Sequence, residues 1–262
     1  MLYVDSSYKS QAPGIVNGLR IAIVMLSSPG IPDYAHFAAI NNYLYATKHS
    51  YDFIVERQPL DTDHDWTWNE NKQSSVSWYK AALLKRHLTN YDYVLFIDSD
   101  AIFNDFKYSI ETELVPLVLM DKCIIFQEDV WYTNNNVTEE NLICTGLIFL
   151  KRCPEAFGIL DAWIRAPYMD PACIDMRYKH PREQDCITHL IKTNVDIKNK
   201  VYVYPASKGM FGQYDAKWII HMGGTNDINR TEFISRYCYA KFNDFIKSTS
   251  LKLQATIQHS SP

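Results

Sequence analysis

The chain first declares itself at Leu19–Leu26 (LRIAIVML), an apolar run that stops at Ser27-Ser28-Pro29-Gly30. Such a run predicts a buried strand feeding a loop. Residues 33–48 then carry apolar positions at helical spacing (Tyr34, Phe37, Ala38, Leu44, Tyr45), with Asn41 the one polar member, and 51–55 predicts the next strand. From Ser75 a second amphipathic helix repeats the pattern with Val76, Tyr79 and Leu83, widened by Leu84 and Leu88, behind a serine-rich start suited to capping. It leads into 93–97, apolar on both faces as a central parallel strand is, and broken abruptly by Asp98-Ser99-Asp100. Further strands are expected at 123–127, 146–150, Val201–Tyr204 and 217–221, and helices at 155–165 and 182–192. Alternating βα units followed by a mixed half predict an α/β/α sandwich on a mixed, mostly parallel sheet, whose ligands gather outside the carboxyl ends of the strands.

Composition narrows the function classes. The 262 residues are 47% hydrophobic and 21% charged, which excludes collagen-like and disordered chains. Without a repeat or a Ser/Gly linker, the expected layout is an N-terminal extension at 1–18, a single domain at 19–247 and a polar C-terminal tail from 248. The net charge is -4 and no Lys/Arg run reaches five residues, so nucleic acid is not an expected partner. No apolar stretch approaches the roughly 20 residues of a membrane span. The polar start lacks a signal peptide, so as written the chain is expected to be soluble and cytoplasmic. Six cysteines without a CxxC pair are expected to be reduced. Sequons at Asn136 and Asn229 carry little weight without a signal sequence.

Chemistry concentrates where charge appears at strand ends. Asp98 and Asp100, one residue apart at the exit of a buried strand, repel unless something positive sits between them. A hard divalent cation such as Mn2+ or Mg2+ accepts one or two carboxylates and fills its remaining positions with substrate phosphates. The alternative is a solvated Asp-rich turn. His221 closes another apolar strand ahead of Met222-Gly223-Gly224, where glycines let backbone approach a ligand, and imidazole is a further ligand type for such a cation. The tryptophans, Trp66, Trp68, Trp78, Trp131, Trp163 and Trp218, suit either core packing or stacking on sugar rings.

These residues carry a resemblance. The segment from Tyr91 to Phe103 (YDYVLFIDSDAIF) resembles the metal-site strand of nucleotide-sugar glycosyltransferases of the Rossmann-like GT-A fold. The family most similar is that of galactomannan galactosyltransferases, xyloglucan xylosyltransferases and fungal Golgi mannosyltransferases. Four more segments match in order: Asn42-Tyr43-Leu44-Tyr45-Ala46 with His49 and Tyr51; Trp78-Tyr79-Lys80; Gly146-Leu147-Ile148-Phe149-Leu150; and Glu183-Gln184-Asp185. The resemblance spans about 19–225 and implies a GT-A fold. It further implies a cation on Asp98, Asp100 and His221 that bridges the phosphates of a UDP- or GDP-linked sugar. Leu26, Ser27, Ser28, Lys80, Ser99 and Gly146 would then line the donor. Glu183, Gln184 and Asp185 would face the reacting sugar or the acceptor, an oligosaccharide or other glycan. The family sets a basic residue a few positions after the late histidine, whereas here 222–229 holds none, leaving Lys208 or Arg230 as substitutes. Its members are anchored in the Golgi by an N-terminal membrane helix, so a Golgi lumen location would apply only to an excised domain.

The leading expectation is therefore a metal-dependent, retaining glycosyltransferase, the stereochemistry resting on kinship alone. An inverting enzyme would need a general base, for which Asp185 or Glu183 is available. A nucleotidyltransferase is disfavoured because residues 27–32 lack the Lys or Arg of a phosphate loop. A non-catalytic carbohydrate-binding relative is the reading from outside enzymes. Residues 61–68 and 129–136 are the expected walls of an acceptor groove.

Overall fold

The computed structural model describes residues 15–16, 18–27, 34–56, 76–129, 143–176, 182–224 and 227–259, with side chains described between residues 18 and 244. Ser28, Trp66, Trp68, Trp131, Asn136 and the segment 61–68 lie outside the described residues.

The first half runs β1 (Ile15–Val16), β2 (Leu19–Leu26), α1 (Tyr34–His49), β3 (Asp52–Glu56), α2 (Tyr79–Leu88), β4 (Tyr93–Asp98) and β5 (Ala101–Phe103). Two short helices, α3 (Ile110–Glu113) and α4 (Val115–Val118), lead to β6 (Ile124–Glu128) and β7 (Ile143–Lys151). Four helices follow: α5 (Pro154–Met169), α6 (Pro171–Met176), α7 (Glu183–Thr193) and α8 (Val195–Lys200). The chain closes with β8 (Val201–Tyr204), β9 (Phe211–Gly212), β10 (Ile219–His221) and α9 (Asp227–His259).

A seven-stranded sheet takes the order β1-β2-β4-β7-β6-β8, with β3 also on β2. β2, β3, β4, β6 and β8 run one way and only β1 and β7 run against them, so the sheet is mixed and mostly parallel. Strand periodicity explains the layers, because successive side chains point to opposite faces. Ile21, Ile23 and Met25 of β2 pack on one face with α1 and the segment around β5 and β10. Ala22, Val24 and Leu26 pack on the other with α2, α5 and α7. β2 and β4 are buried on both faces, which is why they read as unbroken apolar runs.

A second, three-stranded sheet of order β5-β10-β9 carries the site's late histidine. The expected strand at 217–221 is shorter, starting at Ile219. Edge strand β5 is held by α1: Asn41 Oδ1 accepts from Phe103 N at 2.9 Å, and Asn42 Nδ2 donates to the Ala101 carbonyl at 2.9 Å. The polar exception in the α1 stripe is thus a buried side chain pairing an otherwise open strand edge.

One expectation is corrected. Cys173 and Cys186 form a disulfide linking α6 to α7, where reduced cysteines were expected; their spacing gave no CxxC signal because the fold, not local sequence, brings them together. The polar tail from 248 continues α9 as helix to His259. Among the described residues no helix is long and apolar enough to cross a membrane.

Candidate active site

β4 ends between β2 and β7, with Leu26 paired opposite Asp98 and Leu147 opposite Ile97. The chain then turns through Ser99 and Asp100, both buried, and enters β5. β10 runs antiparallel to β5 with His221 opposite Ala101, and Met222 N donates to the Asp100 carbonyl at 3.1 Å. This register brings the late histidine to the acidic pair. His221 Nε2 lies 3.3 Å from Asp100 Oδ1 and 3.8 Å from Asp98 Oδ2. One ligand atom from each of Asp98, Asp100 and His221 falls within 4.8 Å of the others.

Glycine makes room for the ring. A Cβ on Gly146 would stand 2.1 Å from His221 Cε1, and one on Gly223 would stand 2.9 Å from the same atom. Two glycines thus cradle the imidazole so that Nε2 faces both carboxylates. Two carboxylates and an imidazole, partly buried and converging, fit the donor set of a divalent cation such as Mn2+ or Mg2+.

Two cations flank the cluster. Lys80, in the first turn of α2 and 6% exposed, places Nζ 3.0 Å from Asp98 Oδ1, 3.3 Å from Glu183 Oε1 and 3.3 Å from the Thr145 carbonyl. It is a buried ion-pair partner, not a solvated helix lysine. Arg230, in the first turn of α9, sets Nη1 3.3 Å from Asp100 Oδ2 and donates to the Tyr34 hydroxyl at 3.1 Å. Of the two basic residues weighed as substitutes for the family's missing cation, Arg230 reaches the cluster, while Lys208 is exposed on the turn Ala206–Lys208.

The carboxylates answer to these neighbours in opposite ways. Burial, joined by the like charge of Asp100, raises Asp98 above the usual carboxylate range despite Lys80. Burial also disfavours charge on Asp100, but His221 and Arg230 outweigh it and hold Asp100 below that range. Burial lowers the basicity of His221, yet Cys144 and Asp100 prevail and push it well above the ordinary histidine value. Burial likewise opposes charge on Lys80, and Asp98 and Glu183 more than offset it. A cation entering this cluster would displace protons as it binds.

The first turn of α7 meets the site at Lys80 and Thr145. Glu183 is 5% exposed, accepts from the Thr145 hydroxyl at 3.1 Å and is held by Lys80. Gln184 Oε1 accepts from Thr145 N at 3.1 Å, and its amide donates to Asp129 Oδ2 at 3.0 Å. Asp185 sits in the same turn. Leu26 is buried at the end of β2, and Ser27 N donates to the Glu56 carbonyl at 2.7 Å.

The structure therefore brings together Asp98, Ser99, Asp100, His221, Lys80, Gly146, Glu183 and Gln184, as the sequence reading grouped them. It adds Thr145 and Cys144, for which the sequence holds no signal beyond adjacency to Gly146.

Comparison with known proteins bears on the fold and the family. The chain resembles the crystal structure of a glycosyltransferase involved in glycosylation of the major capsid of PBCV-1, at 17% identity and TM-score 0.57, covering 82% of this chain and 99% of that one. The galactosyltransferase LgtC, solved in complex with donor and acceptor sugar analogues, aligns at 14% identity and TM-score 0.47, over 84% of this chain and 95% of that one. A search of curated proteins by sequence finds no match. The model of the galactosyl transferase GMA12/MNN10 family matches residues 20–241. With an acidic pair and a histidine converging at the end of β4 in a GT-A fold, the chain belongs to that family and is a glycosyltransferase.

Proposed function

We propose that this glycosyltransferase moves a sugar from a UDP- or GDP-linked donor to a hydroxyl of an oligosaccharide or other glycan, with retention of anomeric configuration. Asp98, Asp100 and His221 would hold Mn2+ or Mg2+. The convergence of those three ligand atoms within 4.8 Å, at the carboxyl end of β4, carries the reading. When bound, the cation supplies charge to the departing diphosphate.

The protein's own groups have separable tasks. Leu26, Ser27, Ser28, Ser99 and Gly146 would line the donor, Gly146 by letting backbone come close. Arg230, paired with Asp100, and Lys80, paired with Asp98, would neutralise charge around the diphosphate. Gln184, fixed by Thr145 and Asp129, would position the transferred sugar together with Asp185. Retention rests on kinship with the family; of the two residues available as a base for inversion, Glu183 is buried and ion-paired to Lys80, while Asp185 stays a candidate.

Thermal-shift and calorimetric titration with UDP, GDP and their sugars, with and without Mn2+, tests the proposal. Stabilisation by one nucleotide that requires Mn2+, and is abolished in Asp100→Ala, is expected. Equal nucleotide affinity in Asp100→Ala and the parent would overturn the role of the acidic pair.

A further inference from the structure

β7 and β6 lose register where β7 reaches the site. Ile148 pairs with Phe126, but the next pair along is Cys144 with Gln127. Thr145, Gly146 and Leu147 therefore bulge on that edge, and bulges of this kind re-aim side chains beside active sites. Here one result is the placement of Cys144. Its sulfur lies 3.5 Å from His221 Nδ1 and accepts a hydrogen bond from Gly146 N at 3.4 Å. The opposite ring nitrogen, Nε2, is the one that faces Asp100 and Asp98.

We propose that Cys144 is a positioning residue for His221: its sulfur accepts a hydrogen bond from Nδ1–H and fixes the ring so that Nε2 points between the two carboxylates. The inference rests on reading Asp98, Asp100 and His221 as a cation site and extends it to the neighbouring shell. A ligating histidine is oriented by whatever its other nitrogen donates to, commonly a carboxylate, a carbonyl or water. Sulfur fills that place in this chain. Gly146 sets the ring's depth by leaving space, and Cys144 sets its rotation by accepting a hydrogen bond, so one bulge supplies both constraints. Cys144 is a free thiol, partly exposed, and separate from the Cys173–Cys186 disulfide.

The test titrates Mn2+ alone into nucleotide-free protein, following free Mn2+ by electron paramagnetic resonance, in the parent, Cys144→Ala and Cys144→Ser. Thermal unfolding checks that each variant is folded. In parallel, the His221 ring signals of nitrogen-15-labelled, metal-free protein are assigned by comparison with His221→Gln. Cys144→Ala is expected to weaken Mn2+ binding about tenfold and to lose the slowly exchanging Nδ1–H signal. Cys144→Ser, whose hydroxyl also accepts, is expected to keep that signal and recover most of the affinity. A Cys144→Ala protein with parental affinity and an unchanged Nδ1–H signal overturns the proposal. If the parent binds no Mn2+, the cation reading fails, and the Nδ1–H signal still decides whether Cys144 holds the ring.

Discussion

Lys80 ties Asp98 to Glu183, with its ammonium 3.0 Å from one carboxylate and 3.3 Å from the other. The contact joins the first turn of α2, the end of β4 and the first turn of α7 through one buried charge. Removing it leaves two acidic groups facing each other with Asp98 still 28% exposed along its side chain. Lys80→Met is expected to destabilise the fold by about 2–4 kcal/mol, discounted for that exposure, as measured by urea unfolding. Adding Glu183→Gln should recover part of the loss. An additive double variant would mean that the two residues do not act through one another.

Gly146 tests the cradle. A methyl group there would stand 2.1 Å from His221 Cε1, so Gly146→Ala must push the ring away from the acidic pair. Mn2+ affinity measured by calorimetry is expected to fall at least about tenfold, while the circular dichroism spectrum stays that of the parent.

Arg230 should act in opposite directions on two ligands. It sits 3.3 Å from Asp100 Oδ2, where its charge competes with an incoming cation. Arg230→Gln is therefore expected to strengthen Mn2+ binding without nucleotide by about fivefold to tenfold, on the order of 1 kcal/mol. Nucleoside diphosphate affinity in saturating Mn2+ should fall in the same variant. Parallel changes in both would show that Arg230 acts only through folding.

Acid stability has a separate source at Glu56. Burial disfavours its charge, but a hydrogen bond from His87 at 2.9 Å and an ion pair with Arg86 at 2.6 Å outweigh burial and lower its pKa. A carboxyl with a lowered folded-state pKa contributes stability that is present above its unfolded value and is lost as pH falls through the folded one. Unfolding midpoints measured from pH 6 downward should drop less steeply in Glu56→Gln than in the parent.

How far the sequence foretold this molecule depends on how each feature is encoded. β2 and β4 were legible because strands buried on both faces become continuous apolar runs, and α1 and α2 because a single buried face leaves a stripe. Asp98 and Asp100 stood out as charges closing such a run. β5 and β9 are too short to show a period, and among its described residues α9 turns a narrow edge, including Ile234 and Cys238, into the core. The pairing of Asn41 and Asn42 with β5 was invisible, since it depends on a strand edge that the sequence does not announce. Lys80 was singled out by the resemblance of its Trp78-Tyr79-Lys80 segment, but its burial and its ion pair with Glu183 depend on α7 packing over it, which the sequence does not announce. Cys144 owes its position to a bulge, and a bulge leaves no mark in a hydrophobic run.

The antiparallel pairing of β5 with β10 carries a consequence for the order of assembly. Asp98 and Asp100 are delivered by the first half of the chain, whereas His221 arrives only with the last strand. The large sheet can close without β10, because none of its seven strands lies after Tyr204. The proposed cation site is thus completed last: a nascent chain halted before β10 would already own most of its core and still lack one of the three residues proposed to hold the cation.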